Sequence, residues 1–213
     1  MQKTGKNIVI LCLSILCIIG ITSLARLIGS IESQGARTAA KVGINLLNGL
    51  AALAAMKLTG MQLDIGFRNP RHYLIGIAIA LALSLAIAVI PALCGFSLVG
   101  GHTDWSWFTV LRQFLFCVLI IGPVEEFVFR VYFQDVFVSF FDKHGWIGVV
   151  IASALFGLYH LINGNLIQVV FTFGIGLVFG FAKYKIRDCG YVGVALGHGL
   201  YDFFIEIVRM LIV

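Results

Sequence analysis

The chain has 213 residues, 60% of them hydrophobic and 12% charged, with 15 Lys+Arg against 10 Asp+Glu for a formal charge of +5. Soluble domains have an apolar share of about 45–50%, so this composition excludes a soluble domain. The apolar runs are long and continuous instead of alternating at period two, which excludes a β-barrel, the other structure that satisfies its backbone in lipid.

The expected fold is therefore all-α, a polytopic integral membrane bundle of about seven transmembrane helices. It is read as one domain over residues 1–213, with a motif-bearing core over about 108–213. Basic residues lie between the apolar runs and read as topology signals, so no nucleic-acid partner is expected. Five cysteines, Cys12, Cys17, Cys94, Cys117 and Cys189, are odd in number and lack C-x-x-C spacing. Neither a disulfide framework nor a thiolate zinc site is indicated.

Taken in order, Met1 to Ala25 has a basic start and an apolar run over Ile8–Ile21, a pattern shared with cleaved signal peptides and read here as a retained first span. A second span is expected over Ala39–Leu58, where Gly43, Gly49, Ala51 and Ala55 suit close helix contact. Thr59–His72 reads as a polar loop. The third span runs over Tyr73–Phe96 with Pro91 near its end, and Gly100–Asp104 turns the chain toward Trp105 and Trp107, placed as in an aromatic belt. The fourth, about Phe108–Phe140, exceeds the roughly 20 residues a bilayer needs. It contains Gly122-Pro123, which predicts a kink or break there, with Glu125 and Glu126 in the first turn beyond it, among helix N-terminal amides. A fifth span over Gly145–Ile162, a turn at Asn163–Asn165, a sixth span over Leu166–Ala182 carrying Gly176-x-x-x-Gly180, and a seventh over Tyr191–Ile212 complete the chain. The cation asymmetry of the loops puts the N-terminus in the cytoplasm of a cell-membrane protein.

The run Gly122-Pro123-Val124-Glu125-Glu126-Phe127-Val128-Phe129-Arg130 sets two carboxylates and an arginine in otherwise apolar sequence. Each such charge costs about 2.5–3.5 kcal/mol at the bilayer centre on insertion scales, so these residues are functional candidates. Glu126 and Arg130 are four apart in the favourable order for an ion pair, while Glu125 is turned by about 100° to another face. His160 in the fifth span and His198 with Asp202 in the seventh are further polar groups inside apolar runs. His198 and Asp202 share a helical face. Two imidazoles with carboxylates suit Zn²⁺ with a position left for water, and a metal-bound water with a glutamate base would hydrolyse amides. Singly, each histidine also reads as a hydrogen-bonding packing residue and Glu126–Arg130 as a structural pair.

The segments E-E-F-V-F-R (125–130), F-G-L-Y-H (156–160) and H-G-L-Y-D (198–202) resemble the E-E-x-x-x-R, F-x-x-x-H and H-x-x-x-[N/D] motifs of the CPBP family, the type II CAAX prenyl endopeptidases and their bacterial relatives. The likeness spans about Phe114–Phe204. It implies an intramembrane endopeptidase acting on a membrane-associated peptide or protein, with Glu125 activating the attacking water and His160 and His198 as catalytic or metal-binding histidines. With Asp202 added, Glu125, His160 and His198 form the expected catalytic and Zn²⁺-binding set. Many family members have Asn where this chain has Asp202. An ionised Asp binds a metal or orients His198, and cannot donate an amide hydrogen to an oxyanion. Two other classes stand beside the enzyme, a membrane scaffold or chaperone that keeps the motif as a polar packing core, and a proton-coupled transporter using the same groups as a relay, although no inverted repeat accompanies them. Substrate identity and oligomeric state are not legible.

Overall fold

The structure is a computed structural model that describes residues 5–211, apart from 64, 66–69, 100–103 and 163. Among the described residues every regular element is helical. In chain order they are α1 (Gly5–Ser23, extended by a 3₁₀ segment Leu24–Ser30), α2 (Gln34–Thr59), α3 (Pro70–Ser84), α4 (Ile90–Leu93), α5 (Trp107–Phe116), α6 (Gly122–Glu126), α7 (Asp135–Phe140), α8 (Trp146–Tyr159), α9 (Leu166–Lys185) and α10 (Tyr191–Leu211). The loop expected over Thr59–His72, the Gly100–Asp104 turn and the Asn163–Asn165 turn fall partly outside the described residues.

Polar caps set several helix starts. Ser33, Ser106 and Asn165 accept from the backbone N–H of Ala36, Thr109 and Gln168, each satisfying one otherwise orphaned donor. Gly60 ends α2 in the left-handed region at φ +69°, a conformation that costs glycine nothing.

Among the described residues, five helical stretches are long and apolar enough to cross a membrane: Gly5–Ser30, Gln34–Thr59, Pro70–Leu93, Leu166–Lys185 and Tyr191–Leu211. The protein is thus an all-α, multi-pass membrane bundle, and the expected seven spans reduce to five by this measure. Of the other two, Trp146–Ile162 is apolar but short, and residues 107–140 form a succession of α and π segments carrying Glu125, Glu126, Arg130 and Asp135.

No break occurs at Pro123. Cys117–Ile121 is a π-turn in which the Gly122 N–H reaches the Cys117 carbonyl, and Gly122 itself is helical at φ −52°, ψ −53°. A proline ring in an α-helix collides with the carbonyl four residues before it, and the wider π-turn relieves that contact without interrupting the helix. Pro91 repeats the arrangement. It is the second residue after the π-turn Leu85–Val89, whose last bond runs from the Ile90 N–H to the Leu85 carbonyl. With the helix unbroken, Glu125 and Glu126 do not sit at a helix N-terminus. A third π segment, Phe127–Gln134, follows them directly.

The described residues fall into two compact units, one comprising Met1–Asp64 with Val124–Arg187 and the other Ile65–Pro123 with Asp188–Val213. In the first, small residues bring helices close where Gly176-x-x-x-Gly180 predicts it. A Cβ on Gly176 would lie 3.1 Å from the Phe156 ring and one on Gly180 2.9 Å from Val149. Gly43 and Gly49 do not serve this way in α2, since a Cβ on Gly43 would meet nothing within 4 Å and one on Gly49 only ordinary contact with Val124. Ala52 and Ala55 are the buried small residues there. Polar stitches complete the unit: Ser14 with the Tyr132 hydroxyl at 2.8 Å, Gln134 Nε2 donating to the Gly180 carbonyl at 3.1 Å, and Lys183 donating to Asp135 at 2.6 Å.

In the second unit glycines face backbone. A Cβ on Gly76 would lie 2.1 Å from the Gly193 carbonyl oxygen, and one on Gly199 2.6 Å from that of Cys117. This lets α3 and the 117–121 π-turn rest directly on α10. Phe114 packs edge-on against Phe203 at 5.3 Å, and the Tyr191 hydroxyl donates to the Pro123 carbonyl at 2.9 Å.

Candidate active site

Glu126 and Arg130 make the ion pair that their spacing predicts. Arg130 Nε lies 3.1 Å from Glu126 Oε2, and both side chains are fully enclosed. The guanidinium also sits over the Phe156 ring at 5.1 Å from its centroid, a cation–π contact that gains strength where water is absent. Gly176 leaves room for it, because a Cβ there would stand 3.4 Å from Arg130 Nη2.

Glu125 is also buried, at 7% exposure. Its Oε2 lies 3.9 Å from His160 Nε2. A straight-helix estimate from the membrane edge sets these residues at different depths, and the hairpin geometry explains why they meet. Glu125 lies about 22 Å of helix before Phe140 and His160 about 21 Å after Trp146, at roughly 1.5 Å per residue, so both are equally far from the 141–145 connection. The match needs no break at Pro123.

His160 opens the 3₁₀ turn that ends α8. Its Nδ1 is 2.9 Å from the Phe156 carbonyl oxygen. A carbonyl only accepts, so Nδ1 carries the hydrogen, and in the neutral ring Nε2 presents its lone pair to the Glu125 side. Phe156 therefore does more than pack. Its carbonyl sets the His160 tautomer, its ring lies 4.7 Å edge-on from the imidazole, and the other contact of that ring is Arg130. Tyr159 flanks the imidazole at 5.3 Å, and Phe129 touches both Phe156 and Tyr159.

A closed gap beside Glu125, too small to admit a water molecule, is lined by Ile18, Asn45, Asn48, Val124, Val128, Phe129 and Tyr159. Asn48 donates to Thr22 Oγ1 at 2.9 Å and more distantly to the Tyr159 hydroxyl at 3.4 Å. Sequence reasoning missed Asn45, Asn48, Thr22 and Tyr159. Two amides three residues apart inside an apolar run were the available signal, and the small residues around them drew the reading toward helix packing.

In the second unit His198 is 3% exposed, and its Nε2 lies 3.6 Å from Asp202 Oδ2. The four-residue spacing thus brings that pair together, with Asp202 the more exposed partner. Among the described residues no group of three or more His, Cys, Asp or Glu side chains is gathered to hold a metal ion. Each pair offers two donors, and the lone pair of His160 Nε2 suits a metal as well as a water.

The sequence model of the Rce1-like type II CAAX prenyl endopeptidases matches residues 105–204. All four expected catalytic residues and the Glu126–Arg130 pair lie inside that segment. No curated protein and no solved structure matches the chain. Over those residues, just under half of its length, the chain is similar to the Rce1-like type II CAAX prenyl endopeptidases, a peptidase family whose substrates are membrane-associated.

Proposed function

We propose that the protein is an intramembrane endopeptidase in which Glu125 activates the water that attacks a peptide bond of a membrane-associated substrate. The observation that carries this reading is the pairing of buried Glu125 with half-buried His160, whose tautomer is fixed by the Phe156 carbonyl. At 3.9 Å the pair is too far apart for a direct hydrogen bond, and both facing atoms are acceptors. A water donating one O–H to each would turn its oxygen lone pair outward to the scissile carbonyl carbon. Glu125 takes one water proton as the C–O bond forms and returns it to the departing amine nitrogen as the C–N bond breaks, leaving a new carboxylic acid and a new amine, and the acid's proton then passes to the amine to give carboxylate and ammonium. His198, with Asp202 four residues on, keeps the role that the motif resemblance implies, a catalytic or metal-binding histidine.

Zn²⁺ is the proposed cofactor, held by His160, His198, Glu125 and Asp202, and when bound it would supply Lewis-acid polarisation of the carbonyl. The Glu125 and His160 donors suit it chemically, while among the described residues no three ligands are gathered, so the steps above rest on the side chains alone.

The test is cleavage of quenched-fluorescent apolar peptides, each carrying one lipid anchor, by the purified protein in vesicles. Cleavage at a defined bond is expected, and intact peptides in the presence of folded protein would overturn the assignment. Asp202→Asn examines the metal. If the carboxylate binds or orients a ligand, metal content and turnover both fall, by about 10–100-fold in affinity. Full metal occupancy with faster turnover would defeat that role and assign the position to oxyanion donation.

We further propose a cytoplasmic N-terminus. In a background lacking the five native cysteines, an impermeant thiol reagent added to intact cells should label Gly164→Cys and leave Arg187→Cys untouched. The reverse pattern would invert the topology.

A further inference from the structure

The first unit carries an apolar groove of about 330 Å³ that the mechanism leaves unused. Ile15 and Ile19 of α1 line one side and Leu155 and Leu158 of α8 the other, with Phe129 and Phe133 also in the lining. Ile19 is 44% exposed and Leu158 54%, so the groove is open to its surroundings. Arg26 is the charged residue that lines it. Arg26 Nε donates to the Ile162 carbonyl at 3.0 Å, and among the described residues its two Nη groups have no hydrogen bond or ion pair. From Ile15 to Arg26 the helix rises about 16 Å at roughly 1.5 Å per residue, close to half of a hydrocarbon core of about 30 Å. Ile15 stands near the middle of the Gly5–Ser30 span and Arg26 near its end. The groove therefore runs through one leaflet, from the headgroup level to the midplane.

We propose that this groove binds one acyl tail of a phosphate-bearing lipid, with the lipid phosphate on Arg26. Arginine grips phosphate through two parallel N–H groups. With Nε tied to Ile162, the Nη edge of Arg26 is the fork that remains, and the tie holds it at the outer end of the groove. The walls select the rest of the ligand. An acyl tail brings no polar group into the apolar lining, whereas a peptide threaded through it would bring N–H and C=O groups that isoleucine, leucine and phenylalanine cannot satisfy. A lipid without a phosphate would fill the walls and leave the guanidinium without an anion. The tail would also rest on Phe129 and Tyr159, and the Tyr159 ring flanks His160 at 5.3 Å. The wall and the arginine that α1 supplies lie outside the matched segment 105–204, and the proposal does not depend on the endopeptidase reading.

The probes are lysophosphatidic acid with one myristoyl chain, monomyristoylglycerol, which lacks the phosphate, and glycerol 3-phosphate, which lacks the chain. Each is titrated into the full chain, purified in a maltoside detergent, while melting temperature is followed. Lysophosphatidic acid should raise the melting temperature, monomyristoylglycerol should do so only at about 10- to 100-fold higher concentration, the value of hydrogen bonds to a charged group, and glycerol 3-phosphate should not. Arg26→Gln should weaken lysophosphatidic acid by that same factor and leave monomyristoylglycerol unchanged. Arg26 also holds Ile162, so each variant is read against its own unliganded melting temperature. Ile19→Trp fills the groove from an exposed position and should remove the shift from both chain-bearing probes. Equal potency of those two probes, an equal shift from glycerol 3-phosphate, undiminished binding by Arg26→Gln, or a full shift kept by Ile19→Trp would overturn the proposal. Lipid binding by a protein that cleaves no lipid-anchored peptide would sink the endopeptidase reading and leave the groove standing. Cleavage without a lysophosphatidic acid shift would do the opposite.

Discussion

Glu125→Gln is expected to reduce cleavage by about 10²–10⁴-fold, the usual contribution of a positioned general base, with no comparable loss of folded protein. The amide is nearly isosteric and still lines the gap, but it cannot take a proton from water. Its nitrogen could even donate to His160 Nε2, which now faces Glu125 Oε2 at 3.9 Å, so folding should tolerate the change. The check is turnover on the lipid-anchored peptides together with thermal melting of the same preparation. Retained turnover would remove Glu125 from the chemistry, and joint loss of folding and activity would make it structural.

Arg130→Ala should act through stability instead. Glu126 and Arg130 are both fully enclosed, and removing one partner of such a pair leaves an uncompensated charge at a cost of about 3–5 kcal/mol. The double replacement Glu126→Leu with Arg130→Met removes both charges and keeps the volume, and should be far less damaging, because a buried pair exchanged for apolar groups is often neutral or stabilising. Activity should suffer in either variant, since the Phe156 ring that supports Arg130 belongs to the residue whose carbonyl holds His160. Unchanged expression and melting of Arg130→Ala would show that the pair carries no structural load.

Much of this was legible in the sequence because intramembrane charge is rare enough to be informative. Glu126–Arg130 and His198–Asp202 each follow from i, i+4 spacing, and both pairs are formed. Glu125 with His160 is a long-range pairing that helical periodicity cannot supply, and the motif resemblance brought them together. Helix continuity was the main error. Gly122-Pro123 reads as a kink or a break by propensity alone, and the break does not form, because backbone hydrogen bonding in a membrane favours keeping the helix and widening one turn. The division into two units was also illegible. It separates Pro123 from Val124 in the middle of the most conspicuous motif, where no change in composition marks a boundary.

The π-turns before Pro91 and Pro123 carry a consequence for how this chain tolerates changes in length. Each holds one residue more than an α-helix would need over the same path, and one residue of α-helix corresponds to about 100° of rotation. Residues beyond the turn therefore face directions that an uninterrupted helical wheel misassigns. Loss of a single residue from 85–89 or 117–121 could restore α geometry with little disturbance to the ladder, but it would swing the flanking side chains onto new faces and press the proline ring against a carbonyl. These two points act as phase adjusters along their helices, where a one-residue deletion is light on backbone hydrogen bonds and heavy on which side chains meet.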